Sequence, residues 1–257
     1  MKKKFGQNFL INKKIIETII NSLKISKESL IYEVGPGDGS LSKEIIKKNP
    51  KKYIAVEIDS SLKKDLTKIF INKKYFVVYN DALKINELKY FKEKTTIVGN
   101  LPYNISLKLL VKWIYQFANN PWFETMILMF QKEVGERILS QENSRKYGRI
   151  SILVSSFFNV EVITNVNKND FYPVPKVDSM VLKFTPLNRQ LINSKNLKKL
   201  EHLTNYFFSN RRKILKKKII NLFSKDIIEN NHLEYLYSMR PENLKKEIFF
   251  DLIKLIK

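Results

Sequence analysis

Five short apolar runs, alternating with helical patterns, constrain what this chain can fold into more than any other feature. Residues 30–34, 53–57, 76–79, 95–98 and 125–130 have strand length and are rich in β-branched and aromatic side chains. Between and around them, apolar residues recur at helical spacing over 13–23, 40–48, 62–71, 107–117 and 132–139. Strands alternating with helices predict a mostly parallel sheet covered on both faces. Further along, 148–158 reads as a helix, 160–166 as a strand, 171–176 as a proline loop and 179–184 as a last strand. After Pro186 the strand signals stop and lysine-rich helical patterns take over. The expected division is therefore an α/β domain over 1–186 and a small helical domain over 187–257, which suits a length of 257 residues.

In open α/β sheets, ligands bind beyond the carboxyl ends of the strands, and here those ends carry polar residues in order. Gly35-Pro36-Gly37-Asp38-Gly39 follows the first strand, and Ser40 is expected to cap the next helix. The loop lacks the Gly-Lys-Ser/Thr ending of a phosphate-binding loop, and a dinucleotide fingerprint wants Gly or Ala where Ser40 stands. Its Gly-x-Gly-x-Gly spacing resembles the loop of S-adenosylmethionine-dependent methyltransferases. Glu57 ends the second strand, where a carboxylate can accept from both hydroxyls of a ribose. Asp81 ends the third, where it can accept from the amino group of an adenine. The fourth leads into Asn100-Leu101-Pro102-Tyr103. Asn100 offers an amide oxygen. Pro102 has no N–H and biases Leu101 toward an extended backbone, leaving the Leu101 carbonyl as a second acceptor. Tyr103 supplies an aromatic face. Two acceptors beside a ring suit the exocyclic amine of an adenine held out of its stack.

Composition narrows the chemistry. The absence of cysteine excludes disulfides, thiolate metal sites and cysteine nucleophiles. The two histidines, His202 and His232, lie far apart in the tail, so no metal site is expected. No uninterrupted apolar run of about 18 residues is present, so no membrane span is expected and a cytoplasmic protein is. A formal net charge of +22 points to a polyanionic partner. The tail from 187 onward holds 16 Lys or Arg against 7 Asp or Glu. Within it, Arg211, Arg212 and Lys213 precede a helical run beginning at Ile214, and a helix amino end disfavours cations. A nucleic-acid backbone is the expected reason for them.

Taken together, several motifs point to one family. These are Phe5 to Leu10, Glu33 to Gly39, Glu57, Asp81, Asn100 to Tyr103, Gln131 to Val134, Tyr147-Gly148-Arg149, Phe171-x-Pro173-x-Pro175-Lys176-Val177-Asp178-Ser179 and Asn210 to Lys213. The set resembles the small-subunit ribosomal RNA adenine N6,N6-dimethyltransferases (KsgA/RsmA type) over residues 4 to about 250. The resemblance implies a Rossmann-like methyltransferase sheet with a small C-terminal helical domain. It also implies transfer of four methyl groups from S-adenosylmethionine to N6 of two adjacent adenosines near the 3′ end of 16S rRNA, within an assembling small ribosomal subunit. By resemblance, Asn8, Leu10, Gly35, Glu57, Asp81 and Asn100 line the cofactor pocket, Phe171 is a second stacking face beside the target base, and no metal takes part. A monomer is expected. Tyr172 departs from the small residue expected there. The nearest rival is the class that dimethylates large-subunit rRNA, whose loop usually has Ile at position 101. A non-catalytic nucleic-acid-binding factor on the same fold is the rival from another class, and the set Glu57, Asp81, Asn100 speaks against it.

Overall fold

The computed structural model describes residues 7–92 and 94–256; Phe5 and Gly6 of the N-terminal motif lie outside them. In chain order the first elements are β1 (Phe9–Leu10), α1 (Lys13–Ser22), β2 (Leu30–Val34), α2 (Ser40–Lys47), β3 (Lys52–Glu57), α3 (Lys63–Ile69), β4 (Tyr75–Tyr79), β5 (Thr95–Asn100), α4 (Tyr103–Asn119) and β6 (Phe123–Gln131). Then come α5 (Lys132–Leu139), α6 (Arg149–Ser155), β7 (Phe158–Val166), β8 (Phe171–Tyr172) and β9 (Ser179–Pro186). The helices α7 (Ser194–Phe208), α8 (Lys216–Leu222), α9 (Lys225–Asn230) and α10 (Lys246–Leu255) follow.

Seven strands form one sheet in the order β4-β3-β2-β5-β6-β9-β7. The ladders β4-β3, β3-β2, β2-β5 and β5-β6 are parallel, and β6-β9 is antiparallel. From β2 the chain moves outward through β3 and β4, then returns to the other side with β5. The strand order thus reverses between β2 and β5, the position at which such sheets open a crevice. Period-two alternation sends Ile31, Tyr53 and Ala55 into a core with Ile16, Ile19 and Ile20 of α1 and Leu41 and Ile45 of α2. On the other face Tyr32 meets Phe91, Trp113 and Trp122 edge-on at 5.7–6.4 Å between ring centroids. A buried side chain of this size contributes roughly 1.5–3 kcal/mol.

Several expected boundaries move. Helix α4 begins at Tyr103 rather than Leu107, because the Pro102 carbonyl already accepts from Ile105 N and Ser106 N at 3.1 Å. The cap of α2 is Gly39, with φ at +77°, and Ser40 is the first helical residue. Its N–H and hydroxyl instead donate to Asp38 Oδ1, at 3.0 and 2.7 Å. Helix α6 stops at Ser155, and Phe158 already belongs to a strand.

The chain divides into two compact units, one running to Gly135 and including Asn159–Pro186, the other comprising Glu136–Phe158 and everything from Leu187. A single cut at 187 therefore misses a segment. Residues 136–158 belong with the helical unit because α6 packs on α7, and Leu187 N and Leu191 N donate to Phe157 O and Ser156 O at 2.8 and 3.2 Å. In that unit, Leu197, Leu200, Leu203 and Phe207 form the buried stripe of α7, and the Phe208 ring stacks on Phe249 of α10. Lys218 closes the end of α7, donating to Phe207 O at 3.0 Å and Ser209 Oγ at 2.9 Å. Among the described residues no helix is long and apolar enough to cross a membrane.

Candidate active site

The turn after β2 is built from glycines because the chain must come close to its neighbours. At Gly37 the backbone has φ of +58°, and a Cβ there would lie 2.9 Å from the Phe9 ring. Both conditions exclude larger residues. Gly99, near the end of β5, is excluded from substitution by crowding instead, since its Cβ would lie 2.8 Å from the Val34 carbonyl oxygen. Beside this turn lies an open cleft. Asn8, Leu10, Gly35, Glu57, Asp81 and Asn100 all line it, with Leu101, Pro102 and Tyr103. Residues separated by up to 95 positions thus meet in one crevice, at the carboxyl ends of β2, β3 and β5.

Glu57 is 3% exposed. Its Oε2 accepts from Gly37 N at 3.1 Å and its Oε1 from Asp59 N at 2.9 Å. Burial pushes its carboxyl up, and the backbone amides of Asp59, Gly37 and Ile58 pull it partly back. The carboxylate keeps lone-pair capacity for a further donor. Asp81 Oδ1 accepts from Leu83 N at 2.9 Å, which orients the carboxylate at the start of its turn. Asn100 Nδ2 donates to the Asn8 carbonyl at 3.0 Å. With its nitrogen so engaged, the amide oxygen is the end left to accept. The Tyr103 hydroxyl pairs with Ser179 Oγ at 2.7 Å, fixing the ring from its far edge.

Two expectations are corrected. Phe171 does not line the cleft and is 1% exposed. It pairs with Leu10 across the β1-β8 ribbon, and the pleat sends both inward, into the core with Ile16 and Val181. The free ring of that loop is Tyr172, 64% exposed. The basic cluster is also not a set of three free cations. Arg211 Nε donates to Glu242 Oε2 at 2.7 Å and its Nη2 to Ser144 O at 3.0 Å. Arg212 and Lys213 are exposed, and all three lie in a turn before α8 rather than on it.

Sequence reasoning gave no individual site role to Phe9, Asn80 or Ser179. Phe9 lines the cleft and was discernible as the alternate of Leu10 in an extended arm. Asn80 also lines it, next to the Asp81 already singled out. Ser179 ends the proline motif, but its pairing with Tyr103 is not legible there, since the two are 76 residues apart.

The chain matches the family model for ribosomal RNA adenine dimethylase over residues 1–257. It is 41% identical over 255 residues to a ribosomal RNA small subunit methyltransferase A of Pelagibacter ubique, covering 98% of this chain and 95% of that one. The crystal structure of a dimethyladenosine transferase from Plasmodium falciparum superposes with a TM-score of 0.79 at 28% identity, covering 96% of this chain and 98% of that one. That of 23S rRNA methyltransferase ErmE, at 23% identity and a TM-score of 0.72, covering 97% and 99%, shares the fold. On the full-length match and the identity to its relatives, this chain belongs to the ribosomal RNA adenine dimethylase family.

Proposed function

We propose that this protein uses S-adenosylmethionine to dimethylate N6 of two adjacent adenosines near the 3′ end of 16S rRNA, in cytoplasmic assembly of the small ribosomal subunit, acting as a monomer. The observation that carries the reading is the convergence of Asn8, Leu10, Gly35, Glu57, Asp81 and Asn100 on one cleft with Asn100–Tyr103 at its rim. The relatives named for the small subunit favour this substrate over large-subunit rRNA.

The residues present fit S-adenosylmethionine. A buried carboxylate at the end of β3, Glu57, bonded to the glycine turn, matches a pair of ribose hydroxyls, and Asp81 matches an adenine amine. The turn at Gly35 and Gly37 has no Cβ where a ligand needs close approach to the backbone. When bound, the cofactor supplies an electrophilic methyl group on a cationic sulfur.

The rest is done by the chain. The N6 lone pair of adenine is delocalised into its ring, so the amine is a poor nucleophile. Asn100 Oδ1 and the Leu101 carbonyl accept from N6, favouring a tetrahedral nitrogen as the new bond forms. The Tyr103 ring holds the base by stacking. Because these interactions strengthen toward the transition state and hold N6 in line, they accelerate the transfer. The proton from N6 passes to water afterwards. In the helical unit, Arg212 and Lys213 hold phosphates, with Arg211 behind them.

The test is methyl transfer from S-adenosylmethionine to small subunits from a strain lacking dimethyladenosine, followed by mass spectrometry of the rRNA. Four methyl groups on two adjacent adenosines are expected. Offered separately purified large subunits in the same assay, the protein is expected to leave their rRNA unmodified; methylation of large-subunit rRNA instead, or of neither, would refute the assignment.

A further inference from the structure

Between Asn80 and Lys92 the chain has no strand partners, so its turns depend on other bonds. Asn80, Asp81 and Ala82 line the cleft at the start of this stretch. The carbonyls of Ala82 and Ile85 both accept from Lys112 Nζ on α4, at 2.8 and 2.6 Å. The same ammonium donates to Glu87 Oε1 at 2.8 Å. Three donors thus meet three acceptors, and the lysine is fully satisfied. Glu87 is 0% exposed and also accepts from Trp113 Nε1 at 2.9 Å and Gln116 Nε2 at 2.8 Å. Lys112, Trp113 and Gln116 share one face of α4, so a single helix grips the turn through one buried carboxylate.

A buried ion pair is a poor source of stability, because desolvation offsets most of the attraction. Apolar packing would hold α4 against the sheet as well. What the ammonium adds is direction: it fixes two backbone carbonyls within the turn whose first residues line the cleft. Helix α4 is also the helix that begins at Tyr103.

We propose that Lys112 is a positioning residue for base recognition, anchored by Glu87, and that it acts through the Ala82 and Ile85 carbonyls to hold Asp81 where it meets the exocyclic amine of the cofactor's adenine. This rests on reading the cleft as the S-adenosylmethionine site. The test measures Kd by calorimetry for S-adenosylhomocysteine and for S-inosylhomocysteine, in which a ring carbonyl replaces that amine. The wild type is expected to prefer the adenosine compound by about tenfold or more, the worth of a charge-assisted hydrogen bond. Equal binding by the wild type would overturn the reading of Asp81 itself. Given that preference, Lys112→Met should bring the ratio toward one and Lys112→Arg should recover part of it. A ratio unchanged in Lys112→Met overturns the proposal, whether or not both affinities fall together. Should Lys112→Met not fold, Lys112→Gln retains a donor for the carbonyls, and a ratio between the wild-type value and one is expected. A wild-type ratio in that variant overturns the proposal equally.

Discussion

Glu57 is held by backbone amides before any ligand arrives, so on the proposed reading its carboxylate would meet a ribose without reorganising. Glu57→Ala should weaken S-adenosylmethionine binding by on the order of 1–3 kcal/mol, the range for a charged hydrogen-bond partner. Calorimetry showing unchanged affinity would remove the ribose from this position. Asn100 and Tyr103 separate chemistry from binding. Asn100→Ala should lose most methyl transfer while retaining the fold, because its oxygen acts chiefly in the transition state. Tyr103→Phe keeps the stacking face but leaves the buried Ser179 hydroxyl without its 2.7 Å partner. Activity should stay within a few-fold of wild type, with about 0.5–1.5 kcal/mol lost from stability. A folded but inactive Tyr103→Phe enzyme would give the hydroxyl a chemical role.

At the scale of elements, Glu33 ties three together. It sits on β2, and its Oε2 accepts from Ser42 of α2 at 2.6 Å and from the Tyr53 hydroxyl of β3. Burial dominates those two bonds and pushes its carboxyl from the usual 4.5 up to about 7. The folded protein therefore holds a proton that the unfolded chain releases near 4.5. This group's contribution to stability is fully present below the unfolded value and is lost as pH rises through about 7, at a cost on the order of 3 kcal/mol. Glu33→Gln should flatten that component. Urea unfolding from about pH 5 to 8 should show the wild type losing stability relative to the variant across this window. Parallel curves would mean that Glu33 is ionised throughout. In the β1-β8 ribbon register decides facing: pairing Leu10 with Phe171 buries both, and pairing Phe9 with Tyr172 leaves the second ring outside.

For the whole molecule, a net charge of +22 predicts an RNA affinity that falls with salt, because each phosphate neutralised by a cation releases counterions. The structure distinguishes cations that are free to act from those already engaged. Arg211 is bound to Glu242 and the Ser144 carbonyl, so Arg211→Ala should chiefly lower stability, by roughly 1–3 kcal/mol. Arg212→Ala with Lys213→Ala should leave stability nearly unchanged. The log–log salt slope of RNA binding should then fall by about 0.7–0.9 for each phosphate no longer neutralised. Affinity for S-adenosylmethionine should not move in either variant. An unchanged slope in the double variant would make Arg212 and Lys213 ordinary solvated surface, and RNA would have to be held elsewhere.

What the sequence determined by itself is whatever local periodicity and strand ends can carry. The parallel sheet followed from apolar runs alternating with helical spacing, and the order Gly35, Glu57, Asp81, Asn100 followed from reading what stands at each strand's carboxyl end. Those positions converge because a parallel sheet puts all such ends on one side, a consequence of topology rather than of any long-range signal. Facing and pairing needed the tertiary structure. Whether Phe171 or Tyr172 turns outward depends on which residue of β1 lies opposite, and a one-residue change of register would exchange them. That Arg211 is engaged, that residues 136–158 join the helical unit, and that Lys112 and Ser179 support the cleft all depend on partners 25 to 76 positions away. Such pairings leave no trace in spacing, because a side chain's local pattern reports the face it occupies and not the group waiting there.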